Sequence, residues 1–223
     1  MNNELISDVI QWDISNWSKA LPFWNEYLNK SKTKTAAAFG EREGGLSLWL
    51  AKKGFSVECS DFREIKNAKK LHEKHCVTDE INYSKQDITN IKFTDNSFDI
   101  VIFKSVIGAL GSIDSQKIAI NELYRVLKPG GYLLFAENLK GSILHHLLRK
   151  KFNKWSSNWS YPKLNDFNDL LKKFSHTDLE TYGVISLFGR SENQRNNLAL
   201  IDSIITKLTP KKWRYILFAA CKK

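Results

Sequence analysis

The segment Phe98–Phe103 constrains the fold of this 223-residue chain more than any other. Its sequence, FDIVIF, is apolar at five of its six positions. A strand with one face in water alternates apolar and polar residues, whereas a strand covered on both faces is apolar throughout. The segment therefore predicts a buried strand in a sheet that carries helices on both faces.

Short apolar segments of this kind alternate with helical segments along most of the chain. Strands are predicted at Thr35–Phe39, Phe55–Ser60, Asn82–Gln86, Phe98–Phe103, Tyr132–Glu137, Leu179–Leu187 and Tyr215–Cys221. Helices are predicted at Gly44–Lys53, Ile65–Lys74, Ser115–Leu127, Ser142–Trp155, Asn165–Phe174 and Asn193–Lys207. Regular alternation of this type predicts an α/β fold with a mostly parallel sheet.

The first 30 residues precede this pattern and are rich in aromatic side chains. Residues 4–30 predict helices, with Pro22 at a helix start or break. We expect Trp12, Asp13, Asn16 and Trp17 to lie over the ligand site as a lid; core packing of the tryptophans is the alternative. Without a linker or repeat, the expected organisation is a helical cap over residues 1–32 and one main domain over residues 33–223.

Composition and charge narrow the class of protein. No apolar run approaches the roughly 20 residues of a membrane-spanning helix, and no signal peptide is visible. The three cysteines are widely spaced, so reduced thiols and a cytoplasmic location are expected, and no cluster has metal-ligand spacing. The net charge of +10 fits nucleic acid, an anionic membrane or simply a lysine-rich surface.

Three loops carry the residues that predict a ligand site. In a parallel α/β sheet the ligand binds outside the carboxyl ends of the strands. Gly40-Glu41-Arg42-Glu43-Gly44-Gly45 follows the first strand, where glycine lets the backbone approach a ligand closely. Asp61 follows the second strand and can accept ribose hydroxyls, and Asp87-Ile88 follows the third and can meet an adenine. Each aspartate could instead cap a helix or a turn, but the three loops together predict a nucleoside cofactor.

Two longer segments resemble a known family. DITNIKFTDNSFDIVIFKSV and AINELYRVLKPGGYLLFAEN are similar to class I S-adenosylmethionine-dependent methyltransferases, and RVLKPGG before an apolar strand is the most specific motif. The resemblance covers roughly Thr35 to Asn138. It implies a Rossmann-like, seven-stranded, mostly parallel sheet with an antiparallel last strand and helices on both faces. It also implies S-adenosyl-L-methionine as cofactor and a methyltransferase activity.

The resemblance implies roles for single residues by position. The implied cofactor-binding residues are Phe39, Gly40, Glu41, Arg42 and Gly44 along the methionine and ribose, Asp61 at the ribose, Phe62, Asp87 and Ile88 at the adenine, and Lys104 and Ser105 at the methionine end and the incoming substrate. Two positions depart from the family pattern. Ala38 stands where the family has a carboxylate, and Arg42 stands where it has a glycine.

The acceptor is left open by the sequence. A sulfonium methyl group is already activated, so positioning dominates the chemistry, and His145 and Tyr161 are the candidate bases. The loop FKSV lacks the Asn/Asp-Pro-Pro-Tyr/Phe type of motif, which leaves hydroxyl, carboxyl, other nitrogen or carbon acceptors. We expect methyl transfer to a small-molecule or glycan/lipid-precursor acceptor. The alternatives are an RNA methyltransferase, for which no nucleic-acid motif is present, and a non-catalytic protein, which Ala38 and Arg42 motivate.

Residues 143–155, ILHHLLRKKFNKW, form a basic amphipathic segment. Leucine and aromatic residues recur at helical spacing beside four cations. The segment predicts either a helix packed on the sheet or peripheral contact with an anionic membrane.

Overall fold

One mixed sheet organises the protein. The computed structural model describes residues 2–31, 33–152 and 159–223, and within them seven strands run in the order β3-β2-β1-β4-β5-β7-β6. They are β1 (Thr35–Phe39), β2 (Ser56–Asp61), β3 (Ile81–Lys85), β4 (Phe98–Lys104), β5 (Leu127–Asn138), β6 (His176–Tyr182) and β7 (Ile216–Lys222).

Strand direction confirms the predicted fold class. The pairs formed by β1 with β2, β1 with β4, β2 with β3 and β4 with β5 are parallel, whereas β7 is antiparallel to both β5 and β6. From β1 the chain builds outward to β3 and then returns to add β4 on the other side. The carboxyl ends of β1 and β4 therefore form the switch point, where such sheets bind ligands.

Helices cover both faces of this sheet. They are α1 (Asn3–Ile10), α2 (Ile14–Trp17), α3 (Ala20–Leu28), α4 (Gly45–Lys52), α5 (Lys66–Lys74), α6 (Ile113–Val126), α7 (Ile143–Phe152), α8 (Asp166–Leu170) and α9 (Glu192–Leu208). No helix among the described residues is long and apolar enough to cross a bilayer.

The predicted bounds of three elements were wrong, and one of them is β5, which begins at Leu127 and not at Tyr132. The helix expected over Asn165–Phe174 is the shorter α8, and the strand expected over Leu179–Leu187 is β6, which ends at Tyr182. Gly183 turns the chain out of the sheet with a φ of +72°. A Cβ at Gly183 would lie 2.3 Å from the Tyr215 ring, so only glycine fits at this position.

The helices at the N-terminus share the core of the sheet. The Trp24 ring is completely buried, and its Nε1 donates to the carbonyl of Ala219 in β7 at 3.1 Å. Its centroid lies 5.9 Å from that of Trp49 in α4 and 6.4 Å from that of Phe218. Residues of α3 thus close one face of the sheet, while the boundary at residue 32 stays a prediction.

A buried polar network holds α2 against the far end of the sheet. The side chain of Asp202 in α9 accepts hydrogen bonds from the backbone amides of Val184 at 3.0 Å and Ile185 at 2.8 Å, and from Asn16 at 3.2 Å. Asp13 accepts from the Tyr215 hydroxyl. Both carboxyl groups are removed from water, and hydrogen bonds inside the protein replace it at each of them, although Oδ1 of Asp13 has no partner among the described residues.

The Asp13 carboxyl is an ionisable group that burial perturbs strongly. Burial, reinforced by the nearby Glu192 and Asp202 carboxylates, raises the pKa of Asp13 to about 7 against an opposing hydrogen bond from Tyr215. Since the folded state holds this proton more tightly than the unfolded chain, the stability it contributes is present at low pH and is lost as the pH rises to about 7.

We expect Asp13→Asn to flatten part of the pH dependence of stability. Between pH 5 and pH 8 the wild type should lose about 2.5 kcal/mol more of its unfolding free energy than the variant, because the asparagine does not ionise. Urea unfolding at both pH values measures this difference. Asp79→Asn, at an exposed site, serves as the control and should follow the wild type. Equal pH slopes for wild type and Asp13→Asn would contradict the assignment.

Candidate functional site

Four loops at the carboxyl edge of the sheet surround one cavity of about 700 Å³. The loops follow β1, β2, β3 and β4, as the topology predicts. All eleven residues proposed from the sequence to bind a cofactor line this cavity: Phe39, Gly40, Glu41, Arg42, Gly44, Asp61, Phe62, Asp87, Ile88, Lys104 and Ser105. The structure brings them together, and their binding roles stay predictions.

Glycine is required at the first turn of this site. Gly40 has a φ of +73°, which side chains other than glycine rarely adopt. A Cβ at Gly40 would lie 2.3 Å from Cγ2 of Val106 in the loop after β4. The loops after β1 and β4 can therefore approach each other closely, and backbone rather than side chain faces the cavity here.

Glu41 caps the helix that follows this turn. The first turn of α4 has free amides, and its N-cap residue is Gly44, which has no side chain to accept from them. Oε2 of Glu41 accepts from the Ser47 amide at 2.7 Å instead. Burial raises the pKa of Glu41, against the hydrogen bonds from Ser47 and the charge of Lys104.

Lys104 adds a cation to the lining of the same cavity. Its Nζ donates to the carbonyl of Ile10 at the end of α1 and lies 5.9 Å from the Trp17 ring centroid. Burial lowers the pKa of Lys104 to about 8, and attraction to Glu41 opposes this shift. The cavity lining thus contains the buried Glu41 carboxyl group and the half-buried Lys104 ammonium.

Arg42 leaves the cavity open. Its guanidinium Nε pairs with Glu43 at 2.9 Å, and 58% of its side chain is exposed. The side chain therefore points toward solvent, although Arg42 still contributes to the cavity rim. An Arg42 side chain that filled the cavity would have argued for the non-catalytic alternative, and the observed side chain does not fill it.

Two aspartates present carboxylate oxygens beside the cavity. Oδ1 of Asp61 accepts from the Arg63 amide at 2.7 Å, and Oδ1 of Asp87 accepts from the Thr89 amide at 2.8 Å. Hydrogen bonds from Thr89 lower the pKa of Asp87. Over the described part of the chain, Oδ2 of both residues has no hydrogen bond, so each carboxylate keeps one oxygen for a ligand.

Apolar groups stand next to these carboxylates. Ile88 is buried, whereas Phe62 is 64% exposed at the tip of the loop after β2. The Lys85 ammonium lies 5.6 Å from the Phe62 ring centroid. An exposed phenylalanine and a buried isoleucine in the lining of one cavity are suited to a flat aromatic ligand.

The end of β5 positions the loop after β4. Glu137 is completely buried, and its Oε2 accepts from the amides of Val106 at 2.9 Å and Ile107 at 2.8 Å. The next residue, Asn138, donates from Nδ2 to Oγ of Ser105 at 2.8 Å, which holds Ser105 at a φ of +58°. Burial raises the pKa of Glu137 to about 7, against these amide hydrogen bonds.

Sequence reasoning missed Glu137 and Asn138. Both end an apolar strand, and a charged residue at that place is a usable signal. Without the tertiary structure, however, the backbone amides that donate hydrogen bonds to this carboxylate cannot be identified.

The N-terminal segment reaches the cavity with residues other than those expected. The lining does not include the four residues expected there, Trp12, Asp13, Asn16 and Trp17. Trp17 is buried in the core, and Asp13 and Asn16 belong to the polar network with Tyr215. Val9 and Gln11 line it instead. A Cβ on Gly45 would lie 2.1 Å from the Val9 carbonyl, so glycine lets α1 rest on the start of α4.

Trp159 is a further lining residue that the sequence did not indicate. It packs on Gly108, where a Cβ would lie 1.9 Å from its Nε1. The Ser160 amide donates to the Gly108 carbonyl at 2.8 Å and fixes this contact.

The two candidate bases lie outside the cavity lining. His145 is buried; its Nε2 is 2.6 Å from the Val184 carbonyl, and its Nδ1 accepts from the Ser142 amide at 3.0 Å. Both ring nitrogens are therefore used by the fold. Tyr161 lies behind Trp159 with the Arg149 guanidinium 4.2 Å from its ring centroid, and burial raises its pKa. Neither placement supports proton transfer in the cavity.

Comparison with known proteins agrees with this architecture. Residues 38–135 match a family model described as a methyltransferase domain. An 89-residue stretch is 34% identical to the ubiquinone/menaquinone biosynthesis C-methyltransferase UbiE of Pseudoalteromonas translucida, and it spans 40% of this chain and 33% of that protein. The chain thus covers about a third of the length of this curated relative.

Solved structures share the fold at low identity. Phosphoethanolamine N-methyltransferase 2 of Haemonchus contortus, in complex with S-adenosyl-L-methionine, superposes with a TM-score of 0.66 at 19% identity, over 98% of this chain and 56% of that one. The [4+2]-cyclase SpnF superposes with a TM-score of 0.63 at 14% identity, over 92% and 80%. Since the second is a cyclase, this likeness establishes the fold and not the reaction.

We expect Glu137→Ala to destabilise the protein by about 2–4 kcal/mol, because it leaves the amides of Val106, Ile107 and Asn138 without this acceptor. Urea unfolding at pH 6 measures the loss. Glu58→Ala is the control: this partly exposed carboxylate accepts from Asn82 on the neighbouring strand at 3.0 Å, and its removal should cost less than about 1 kcal/mol. Similar losses for both variants would refute the positioning role of Glu137.

Proposed function

We propose that the chain carries a class I S-adenosylmethionine-dependent methyltransferase domain and transfers a methyl group from this cofactor to a small-molecule acceptor; the family-model match over residues 38–135 supports this. The observation that carries the proposal is the convergence of Gly40, Asp61 and Asp87 on one cavity. Three loops far apart in sequence supply a glycine turn and two carboxylates. This combination suits a nucleoside with an amino-acid tail.

The nucleoside end fits the side chains after β2 and β3. We assign the ribose hydroxyls to the free Oδ2 of Asp61, since a carboxylate can accept from two adjacent hydroxyls. The adenine would lie between Phe62 and Ile88, with its amino group toward Asp87. Both carboxylates are pinned through Oδ1 by backbone amides, so little side-chain entropy is lost on binding.

The methionine end fits Glu41 and Lys104. We assign the methionine carboxylate to the Lys104 ammonium and the methionine ammonium to Glu41, both of which line the cavity. Glu41 would supply the negative charge that Ala38 lacks. The positive φ of Gly40 leaves room for the chain of the cofactor beside the backbone.

When bound, S-adenosylmethionine supplies a methyl group already activated on a sulfonium. The protein's own residues bind, orient and exclude water. Val106, Leu110 and Trp159 line the cavity and offer an apolar wall for the acceptor, with the Ser105 hydroxyl beside them. Because His145 and Tyr161 lie outside the lining, we infer an acceptor that needs no histidine or tyrosine base from this chain.

Relatives support a small acceptor over a macromolecule. Curated relatives are named for ubiquinone and menaquinone biosynthesis and for demethylmenaquinone methylation. Both names denote small molecules or their lipid derivatives. A glycan or lipid precursor remains within this proposal.

We expect Asp61→Ala to weaken binding of S-adenosylhomocysteine by at least about tenfold, because hydrogen bonds to a charged group contribute about 1.5–3 kcal/mol. Isothermal titration calorimetry measures the affinity. Glu64→Ala is the matched control, since Glu64 is exposed nearby, pairs with Lys66 at 2.8 Å and does not line the cavity. Unchanged affinity in Asp61→Ala would remove the ribose assignment.

We expect methyl label to enter a small-molecule fraction. The protein is incubated with methyl-labelled S-adenosylmethionine and with separated small-molecule, lipid and RNA fractions of a host extract. Label should appear in the small-molecule or lipid-precursor fraction, and much less of it with Asp61→Ala at the same concentration. Label confined to RNA would favour the nucleic-acid alternative, and no transfer to any fraction would argue against the proposed activity.

A further inference from the structure

Helix α9 exposes a continuous apolar row. Leu200, Ile201, Ile204 and Leu208 recur at spacings of one, three and four residues and are 49–84% exposed. The opposite face of the same helix is buried through Ala199, Asp202 and Thr206. A helix already packed on one side thus carries a second apolar face without a partner among the described residues.

Helix α7 exposes a second apolar row at its start. Ile143, Leu144 and Leu147 are 80%, 55% and 57% exposed, whereas His145 between them is buried. Of the segment proposed from the sequence as a membrane contact, Lys154 and Trp155 lie outside the described residues.

The connections that lead into the two helices leave the sheet at the same edge. Helix α9 connects the end of β6 to the start of β7, and Tyr182 pairs with Ile216 at the carboxyl edge of the parallel strands. Helix α7 follows β5, whose last residue, Asn138, also pairs with Ile216. Both helices therefore start at the edge that holds the cavity.

A shared segment joins the two helices from inside. His145 of α7 stacks on Phe188 with centroids 5.3 Å apart, and its Nε2 meets the Val184 carbonyl. Asp202 of α9 accepts from the Val184 and Ile185 amides. Residues within 183–188 therefore contact a buried side chain of each helix, His145 of α7 and Asp202 of α9. We call the two exposed rows, with Lys207, Lys211, Lys212 and Trp213, the α7–α9 surface.

This surface is positively charged. Residues 138–165 and 203–223 contain no aspartate or glutamate. Lys207, Lys211 and Lys212 are exposed at the end of α9, and Trp213 next to them is 50% exposed. An apolar row flanked by lysines and a half-exposed tryptophan has the composition of a helix that lies in a membrane interface.

We propose that the α7–α9 surface docks the protein on an anionic lipid bilayer. The aliphatic side chains would enter the boundary between headgroups and acyl chains, and the lysines would meet lipid phosphates. A nucleic acid would use the lysines but would leave the leucine and isoleucine side chains unpartnered. A second copy of this surface would bring like charges together. A bilayer offers partners to both groups, acyl chains to the apolar rows and phosphates to the lysines.

This inference does not depend on methyl transfer, because it concerns a surface outside the cavity. If it holds, the carboxyl edge of the sheet, which carries the cavity, would lie toward the bilayer and would favour acceptors held in or near a membrane.

The test is co-sedimentation with vesicles of phosphatidylcholine alone or with phosphatidylglycerol added at 30 mol% (about one lipid in three), at about 0.1 M salt. The wild type should partition onto the anionic vesicles at least about tenfold more strongly than onto the neutral ones. Ile204→Asp and Lys211→Glu/Lys212→Glu should each lower anionic partitioning by about tenfold or more.

Two control variants carry the same types of substitution, isoleucine to aspartate and paired lysine to glutamate, outside the α7–α9 surface. Ile118→Asp changes an isoleucine of α6 that is 50% exposed, and Lys172→Glu/Lys173→Glu changes two adjacent exposed lysines before β6, at the opposite edge of the sheet. Both should keep anionic partitioning within twofold of the wild type. All four variants alter exposed residues, and thermal unfolding checks that each folds.

Three outcomes would overturn the proposal. The first is equal partitioning of the wild type onto both vesicle types. The second is a loss of anionic partitioning in the controls as large as in the test variants. The third is that Ile204→Asp dissociates a dimer in solution and leaves vesicle partitioning unchanged. Binding of S-adenosylhomocysteine, measured in parallel, should be unaffected by every variant, so a failed membrane test and a failed methyltransferase assignment can be told apart.

Discussion

The parallel pairing of β1 with β4 is the constraint on which the rest of the structure depends. Phe39 is paired with Phe103 on one side and with Ser60 of β2 on the other. This register makes all three strands end at the same level, so Gly40, Asp61 and Lys104 follow at one edge. A shift of one strand by one residue would displace its loop by about 3.3 Å along the strand direction, and the three positions would no longer lie at the same level. The cavity is therefore a consequence of how the buried strands align.

Ionisable groups at this edge are stabilised by backbone amides more than by ion pairs. Glu41 accepts from the first turn of α4, and Glu137 accepts from the loop after β4. Burying a carboxylate is costly unless hydrogen bonds replace water. Here the bonds that satisfy each charge also hold the loops that shape the cavity. Lys104 has a similar double role, since its bond to the Ile10 carbonyl ties α1 to the sheet.

Much of the fold was predictable because apolar periodicity reflects burial directly. The buried strand at Phe98–Phe103 and the turns after β1, β2 and β3 were read from local patterns. The end of β6 was not, since the reason for it is the Tyr215 ring packed against Gly183. Val9, Trp159 and Glu137 were missed for the same reason. Each acts through a contact with a residue distant in the chain.

The sequence by itself determined the order of strands and helices along the chain, the residue types in each loop and the resemblance to a methyltransferase family. Only the tertiary structure decided that Arg42 pairs with Glu43 and turns away, that His145 is used by the fold, and that α7 and α9 leave apolar rows exposed. Local patterns record whether a side chain suits burial. The partner that buries it, or the lack of one, depends on packing between distant segments.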